Sequence, residues 1–239
     1  MATSGSYDFN VTAQEIIEGS LRILGVVDAG TTPGTAELND GMEALNLLVH
    51  QWAHNPTFVN RGFQAWHQLE QTLDISALTA KQSYALAPSG GDQVMQIPMD
   101  IVAVTKITSA GSRTLVNRVS LNQFLEWSNR TTTGAPSEWF YQKGLTSGVL
   151  WFNTIPADTT EDFVLTYVRP LQDIDALSND VEFPKEWFRA LKFHLALDLS
   201  LEFGIKASDL LIRLAAQSLE LSNATDTQDS SMFLQPEFY

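Results

Sequence analysis

The stretch from Pro184 to Gly204, PKEWFRALKFHLALDLSLEFG, constrains the fold of this chain more than any other. Pro184 has the fixed φ and missing N–H that suit a first helical position, and Glu186 adds negative charge to the first turn. Trp187, Phe188, Leu191, Leu195, Leu199 and Phe203 then recur at helical spacing. Ala196, Leu197 and Leu201 widen the stripe until little of the middle is polar. A helix apolar round most of its circumference has to be buried by several neighbours. Gly204 closes it, because glycine enters the left-handed C′ conformation without a Cβ penalty. At about 1.5 Å per residue the helix runs about 30 Å, the span of a small domain. These residues are the expected core spine of a helical bundle. They form a scaffold, not an active site.

Other helices are predicted at both ends of the chain. Thr12 is an N-cap with Glu15 three residues on, the spacing of a capping box. Ile16, Ile17, Leu21, Leu24 and Val27 follow on one face, and AGTTPGT (29–35) is turn material. A second amphipathic helix runs from Ala36 to His54, burying Leu38, Met42, Leu45, Leu48, Val49 and Trp52. Ser208 caps a last helix with Leu210, Leu211, Leu214 and Leu221 facing inward. Between these ends the period changes. From Trp66 to Pro170 short β-branched and aromatic runs alternate with turns, Gly111-Ser112 marking a hairpin and Ser120 capping a short helix over 121–129. The expected fold is α+β: an antiparallel helical bundle built from both ends of the chain, with an inserted, mostly antiparallel β domain. The segments are 1–60 (N-terminal helical hairpin), 61–171 (inserted β domain), 172–223 (C-terminal helices) and 224–239 (extended C-terminal arm).

Composition narrows the chemistry. The 239 residues are 44% hydrophobic and 18% charged, enough apolar material for a substantial core. No apolar run approaches the ~18 residues of a membrane span, and MATSGSYDFNVTAQE lacks the basic and apolar regions of a signal peptide. Without a secretory signal the N-x-T matches at Asn10, Asn129 and Asn223 carry no weight. Cysteine is absent, which excludes disulfides and thiol chemistry. Net charge is −14. A sequence-specific nucleic-acid binder draws its affinity from a basic face, so either nucleic acid is no partner or DNA slides past without sticking.

No catalytic motif emerges. His50 and His54 lie four apart, the spacing of a zinc pair, but Gln51, Trp52 and Ala53 separate them and no third ligand is evident. His194, amid the apolar spine, reads as a hydrogen-bonded core residue. Asp173, Asp175, Asp180 and Glu182 cluster before the spine helix, without the glycine and terminal glutamate of an EF-hand loop. A solvated loop favouring a helix N-terminus is the simpler account. No cofactor, metal or catalytic residue is expected, and the chain is read as a non-enzyme. Trp139 and Trp151 leave open a carbohydrate-binding or hydrolytic module, although strand aromatics belong more often to a core.

The last residues differ in kind. A polar spacer, Asn223–Ser231, is followed by Met232, Phe233, Leu234, Pro236, Phe238 and Tyr239. Large apolar residues after a polar spacer either fold back on their own subunit or form a docking arm that lays aromatic anchors into a partner.

Four segments together resemble the head-to-tail adaptor (connector, tail accessory or tubular) proteins of short-tailed bacteriophages. They are TAQEIIEGSLRILGVVD with TAELNDGMEALNLLVHQWA, QSYALAP with IPMDIVAV, TTTGAPSEWFYQ with GVLWFNTIP, and FPKEWFRALKFHLALDLSLEFG. The resemblance runs from about Thr12 to Leu221 and rests on pattern and order, without an invariant catalytic motif. It implies a helical bundle carrying a β insertion, and a structural virion subunit that forms a dodecameric ring between portal and tail. The implied partners are the portal protein, a downstream tail or nozzle protein and other copies of the chain. Double-stranded DNA would pass through without specific binding during packaging, retention and ejection, and no membrane is involved. The expected location is the phage neck or tail, after assembly in the host cytoplasm, with the C-terminal arm docking on the portal. Another tail component, such as a tail-completion or tube protein, is the alternative.

Overall fold

Local capping chemistry sets the helix boundaries. The computed structural model describes residues 5–6, 8–53, 68–73, 80–128, 131–157 and 160–225. Helix α1 (Ala13–Leu24) starts with the expected capping box: Thr12 Oγ1 accepts the Glu15 N–H, and the Glu15 carboxylate accepts the Thr12 N–H at 3.0 Å. Helix α2 (Thr35–Ala53) buries Leu38, Leu45, Leu48, Val49 and Trp52. The short α3 (Leu121–Glu126) has a second capping box between Ser120 and Gln123. Helices α4 (Phe188–Glu202) and α5 (Asp209–Thr225) follow, and Ser208 Oγ accepts the Leu211 N–H at 3.2 Å.

The spine helix starts more tightly than its sequence suggests. Pro184 stands outside it, and Lys185–Trp187 form one 3-10 turn before α4 begins. Its end is a Schellman motif: the Gly204 N–H bonds the Leu201 carbonyl, and the Ile205 N–H bonds the Ser200 carbonyl at 2.8 Å. Gly204 has φ 63°, the left-handed value that only glycine adopts cheaply.

The chain divides into a helical unit, residues 1–65 with 171–239, and a sheet unit, residues 66–170. In the helical unit α4 is buried on most sides. Trp187 is 1% exposed, Leu191, Leu195 and Leu199 are fully enclosed, Phe188 is buried and Phe203 is half-buried. The Trp52 ring lies 5.7 Å from Trp187 and 5.2 Å from His194. Ser20 Oγ, on α1, donates to the Lys192 carbonyl at 2.9 Å.

The sheet unit holds β1 (Gln68–Leu73), β2 (Ser83–Ala87), β3 (Gln93–Val94), β4 (Asp100–Ile107) and β5 (Arg113–Arg118). It continues with β6 (Thr133–Gly134), β7 (Glu138–Lys143), β8 (Gly148–Phe152), β9 (Ile155–Pro156) and β10 (Asp162–Val168). Eight strands form one sheet in the order β1-β10-β4-β5-β7-β8-β2-β3, and β6 pairs with β9 separately. Pairs β5/β7 and β2/β3 are parallel, while the other pairs in this sheet are antiparallel. Strand alternation fills the core: Trp139 and Tyr141 of β7 and Leu150 and Phe152 of β8 point inward with Tyr84, Ile101, Val104 and Phe163. The buried polar tips are satisfied, Trp139 Nε1 donating to the Val116 carbonyl at 3.0 Å and the Tyr141 hydroxyl to that of Pro98 at 2.7 Å.

This architecture corrects the expected fold class. The chain is not an antiparallel helical bundle with an inserted, mostly antiparallel β domain. Its largest element is a mixed, nearly closed eight-stranded sheet, accompanied by a few helices. The physical reasons lie in both units. Parallel pairing at β5/β7 and β2/β3 joins all the strands from β1 to β10 except β6 and β9 into one sheet. In the helical unit, irregular chain supplies burial that a bundle would take from helices. Leu171, Ile174 and Val181 are each 5% exposed. The segment containing them is tied in by main-chain bonds from Ala13 to Asn179 and from Gln14 to Leu177.

Candidate functional site

The acidic segment 172–182 is a structural strap. Asn46, on α2, holds Ile174 by both peptide groups, with Nδ2 donating to its carbonyl at 3.0 Å and Oδ1 accepting its N–H at 2.9 Å. His50 Nε2 lies 2.8 Å from Asp173 Oδ1. The Glu182 carboxylate accepts the Gln172 N–H at 3.1 Å, and Asp180 pairs with Thr12 as an isolated bridge. These contacts enclose an open, polar hollow of about 380 Å³ lined by Asp173, Asp180 and Glu182 with Ser178 and Asn179. The Asp173 carboxylate ties the strap to α2, and that of Glu182 closes the strap on itself. Among the described residues no group of three or more His, Asp or Glu side chains is placed to hold a metal ion. His54, the other half of the zinc-spaced pair, lies outside the described residues.

His194 is not hydrogen-bonded as its sequence context suggests. Its ring packs edge-on against Trp52, and its buried Nε2 has no hydrogen-bond partner. Burial lowers its pKa and keeps the imidazole neutral. One and two turns further along α4 stand Asp198 and Glu202. Burial raises the pKa of Asp198. Burial also raises that of Glu202, helped by the charges of Asp40 and Glu43 on α2 and of Asp198. The charges of three carboxylates thus bear on Glu202 in one region of the helical unit. This acidic patch joins residues that lie more than 150 positions apart, so no local pattern reveals it.

The structure also reassigns two apolar features. On α5, Leu211, Ala215, Ser218 and Ser222 face inward, while Leu210 and Leu221 are 60% and 59% exposed. Small residues win the buried face because they let helices approach closely, and Ser222 Oγ donates to the Glu186 carbonyl at 2.9 Å. The i, i+4, i+11 spacing of Leu210, Leu214 and Leu221 was the signal for a separate stripe. In the sheet unit, Trp139 is buried and unavailable as a sugar platform. Trp151 packs against Phe124 at 5.6 Å, in a cluster where Phe124 stacks on Phe140 at 4.5 Å.

Of the residues singled out from sequence, Trp187, Phe188, Leu191, Leu195 and Leu199 come together in the interior of the helical unit, with Phe203 at its edge. Met232, Phe233, Leu234, Pro236, Phe238 and Tyr239 lie outside the described residues. Large apolar side chains are exposed on both units: Leu201 is 83% and Leu47 64% exposed on one, Leu145 97% and Leu115 65% on the other. Leu121 and Leu125, one turn apart on α3, are exposed together.

Compared with protein-family models and with curated proteins, the chain matches nothing.

Proposed function

We propose that the chain is a structural subunit of a short-tailed bacteriophage neck, a head-to-tail adaptor that assembles as a dodecameric ring between the portal and the tail. The resemblance of four ordered segments between Thr12 and Leu221 underlies the reading. The observation that carries it is the pair Leu121 and Leu125, exposed together on α3. Fully burying a leucine is worth about 1.5–3 kcal/mol, so such a pair favours association. The exposed Leu47, Leu201 and Leu115 extend the same argument to other faces.

In this reading the subunit's work is mechanical. Its partners are the portal, a downstream tail or nozzle protein and its own copies, with Met232 to Tyr239 as the portal-docking arm. The carboxylates Asp40, Glu43, Asp198 and Glu202 suit a channel through which DNA moves, because they give the phosphates no cationic partner and so release none of the counterions condensed on the DNA.

Particle-mass measurement of the chain alone and mixed with a portal ring from the same genome tests the reading. The portal mass should rise by a fixed multiple of 26.5 kDa. A chain shortened to residue 223 should lose that rise. An unchanged portal mass with the full chain would overturn the adaptor role.

A further inference from the structure

The ring of His194, on α4, makes its aromatic contact with another helix. It meets the Trp52 ring edge-on, with centroids 5.2 Å apart and an interplanar angle of 89°. Trp52 lies in the last turn of α2, buried, and also packs on Trp187 and Phe183. Nε2 of His194 is buried without a hydrogen-bond partner. A neutral imidazole bears this at modest cost. An imidazolium adds a proton and a charge to the ring, and needs an acceptor or water at that atom. The charged groups of the surrounding elements are engaged elsewhere. On α2, His50 meets Asp173, while Asp40 and Glu43 bear on Glu202 of α4. On α1, Arg22 pairs with Glu18. On α4 itself, Arg189 lies over Phe193 and the Lys192 chain over Gly19 of α1. Among the described residues none of these, nor Asp209, Arg213 and Glu220 of α5, is bonded to His194, and burial is the cause of its lowered pKa.

We propose that His194 is an acid-sensitive latch between α2 and α4: once charged, its ring leaves Trp52 for the carboxylate of Asp198, and the last turn of α2 loosens. Asp198 stands one turn further along α4, at the spacing where helix side chains are neighbours. The exchange gives the imidazolium a counter-charge and water, and takes from Trp52 the ring that covers it on the α4 side. Earlier turns of α2 stay in place, because both bonds from Asn46 to Ile174 tie them to the strap. The sign follows from burial. With the folded pKa lowered, the latch is shut above about pH 6.5, where the ring is neutral whether open or closed, and it opens as the pH falls below that value. The inference concerns the helical unit and does not depend on the adaptor reading.

Amide exchange of the full-length chain at pH 7.5 and pH 5.5, corrected for the intrinsic pH dependence of exchange, tests the latch. Exchange over Val49–Ala53 should rise by up to about tenfold at pH 5.5, one unit below the ordinary histidine value, while α1 changes by less than about twofold. His194→Phe keeps a ring beside Trp52 without a charge, and should abolish the rise. His194→Gln, uncharged and smaller, gives the same reading if phenylalanine does not fit. His50→Gln removes the other titrating ring of α2 and should leave the rise in place. A rise of equal size across α1 and α4 would overturn the proposal, and the parent chain alone shows it. So would a rise that persists in the uncharged His194 variants. Slower exchange at pH 5.5, as an imidazolium held on the Trp52 face would give, overturns it too.

Discussion

Gly41 of α2 packs so closely on Ile17 of α1 that a methyl group at Gly41 would collide with the Ile17 Cγ2 methyl. The isoleucine is β-branched and stiff at χ1, so it cannot swing aside. Here a glycine that weakens helix propensity is the condition for two helices to meet.

Gly41→Ala should therefore destabilise the chain by about 1–2 kcal/mol, overpacking outweighing the ~1 kcal/mol that alanine gains in helix propensity. Gly134→Ala, with no atom near the new methyl, is the control and should stay within about 0.5 kcal/mol. Denaturant unfolding midpoints measure both. A midpoint for Gly41→Ala at or above that of the parent would show that the two helices separate at no cost.

Trp187 stands between Trp52 at 5.7 Å and Phe183 at 6.1 Å, almost without exposure. Trp187→Ala should cost about 3–5 kcal/mol, as large cavities in close-packed interiors do. Thermal unfolding followed by near-ultraviolet circular dichroism reads the loss. A cost below about 1 kcal/mol would mean that the spine repacks freely.

Asn46 closes two hydrogen bonds to the main chain of one residue, and Asn46→Ala leaves both the N–H and the carbonyl of Ile174 without that partner. The expected cost is about 1–3 kcal/mol. Amide exchange over 172–182 should quicken with it, since the strap loses its tie to α2. Unchanged exchange there would show that the bonds to α1 hold the strap by themselves.

Stability should depend on pH in two opposed ways. His194 has its folded pKa lowered by burial, so the unfolded chain takes up the proton first, and stability falls as the pH drops below about 6.5. His194→Leu should remove that fall. Asp198 and Glu202 have raised folded pKa values, so their contribution is fully present below the ordinary carboxylate range and is lost as the pH rises through the raised values. Glu202 is exposed, and water screens its repulsions. Glu202→Gln should thus stabilise the chain at neutral pH by no more than about 0.5 kcal/mol, and not at all at pH 3. Unfolding midpoints across pH 3–8 would separate the two signs.

Legibility in the sequence followed the range of the forces. The capping box at Thr12/Glu15, the cap at Ser120 and the glycine stop at Gly204 each involve residues a few positions apart, and each was readable; the reciprocal bond from Gln123 to Ser120 was not read. The enclosure of Leu191, Leu195 and Leu199 follows from a stripe too wide for one neighbour. On α5, two apolar stripes compete, and close approach by Ala215, Ser218 and Ser222 decided the buried face against Leu210 and Leu221. The β5/β7 pairing escaped prediction because α3 intervenes, and a parallel pair leaves no turn signature. The same holds for His50 with Asp173 and for the carboxylates around Glu202, where residues far apart in the chain meet only after folding.

The pairing of β1 with β10 sets Gln68 opposite Val168, so the first and last strands of the sheet unit are neighbours. For the helical unit this shortens the path of assembly. Its two chain segments are separated by more than a hundred residues, and holding the ends of such a loop together costs about 4 kcal/mol in chain entropy. Once β1 and β10 are zipped, that cost is already met, and α4 searches for α1 and α2 as though a short tether joined them. The sheet unit then acts as a clasp for the rest of the chain, and a slip in the β1/β10 register would delay the helices.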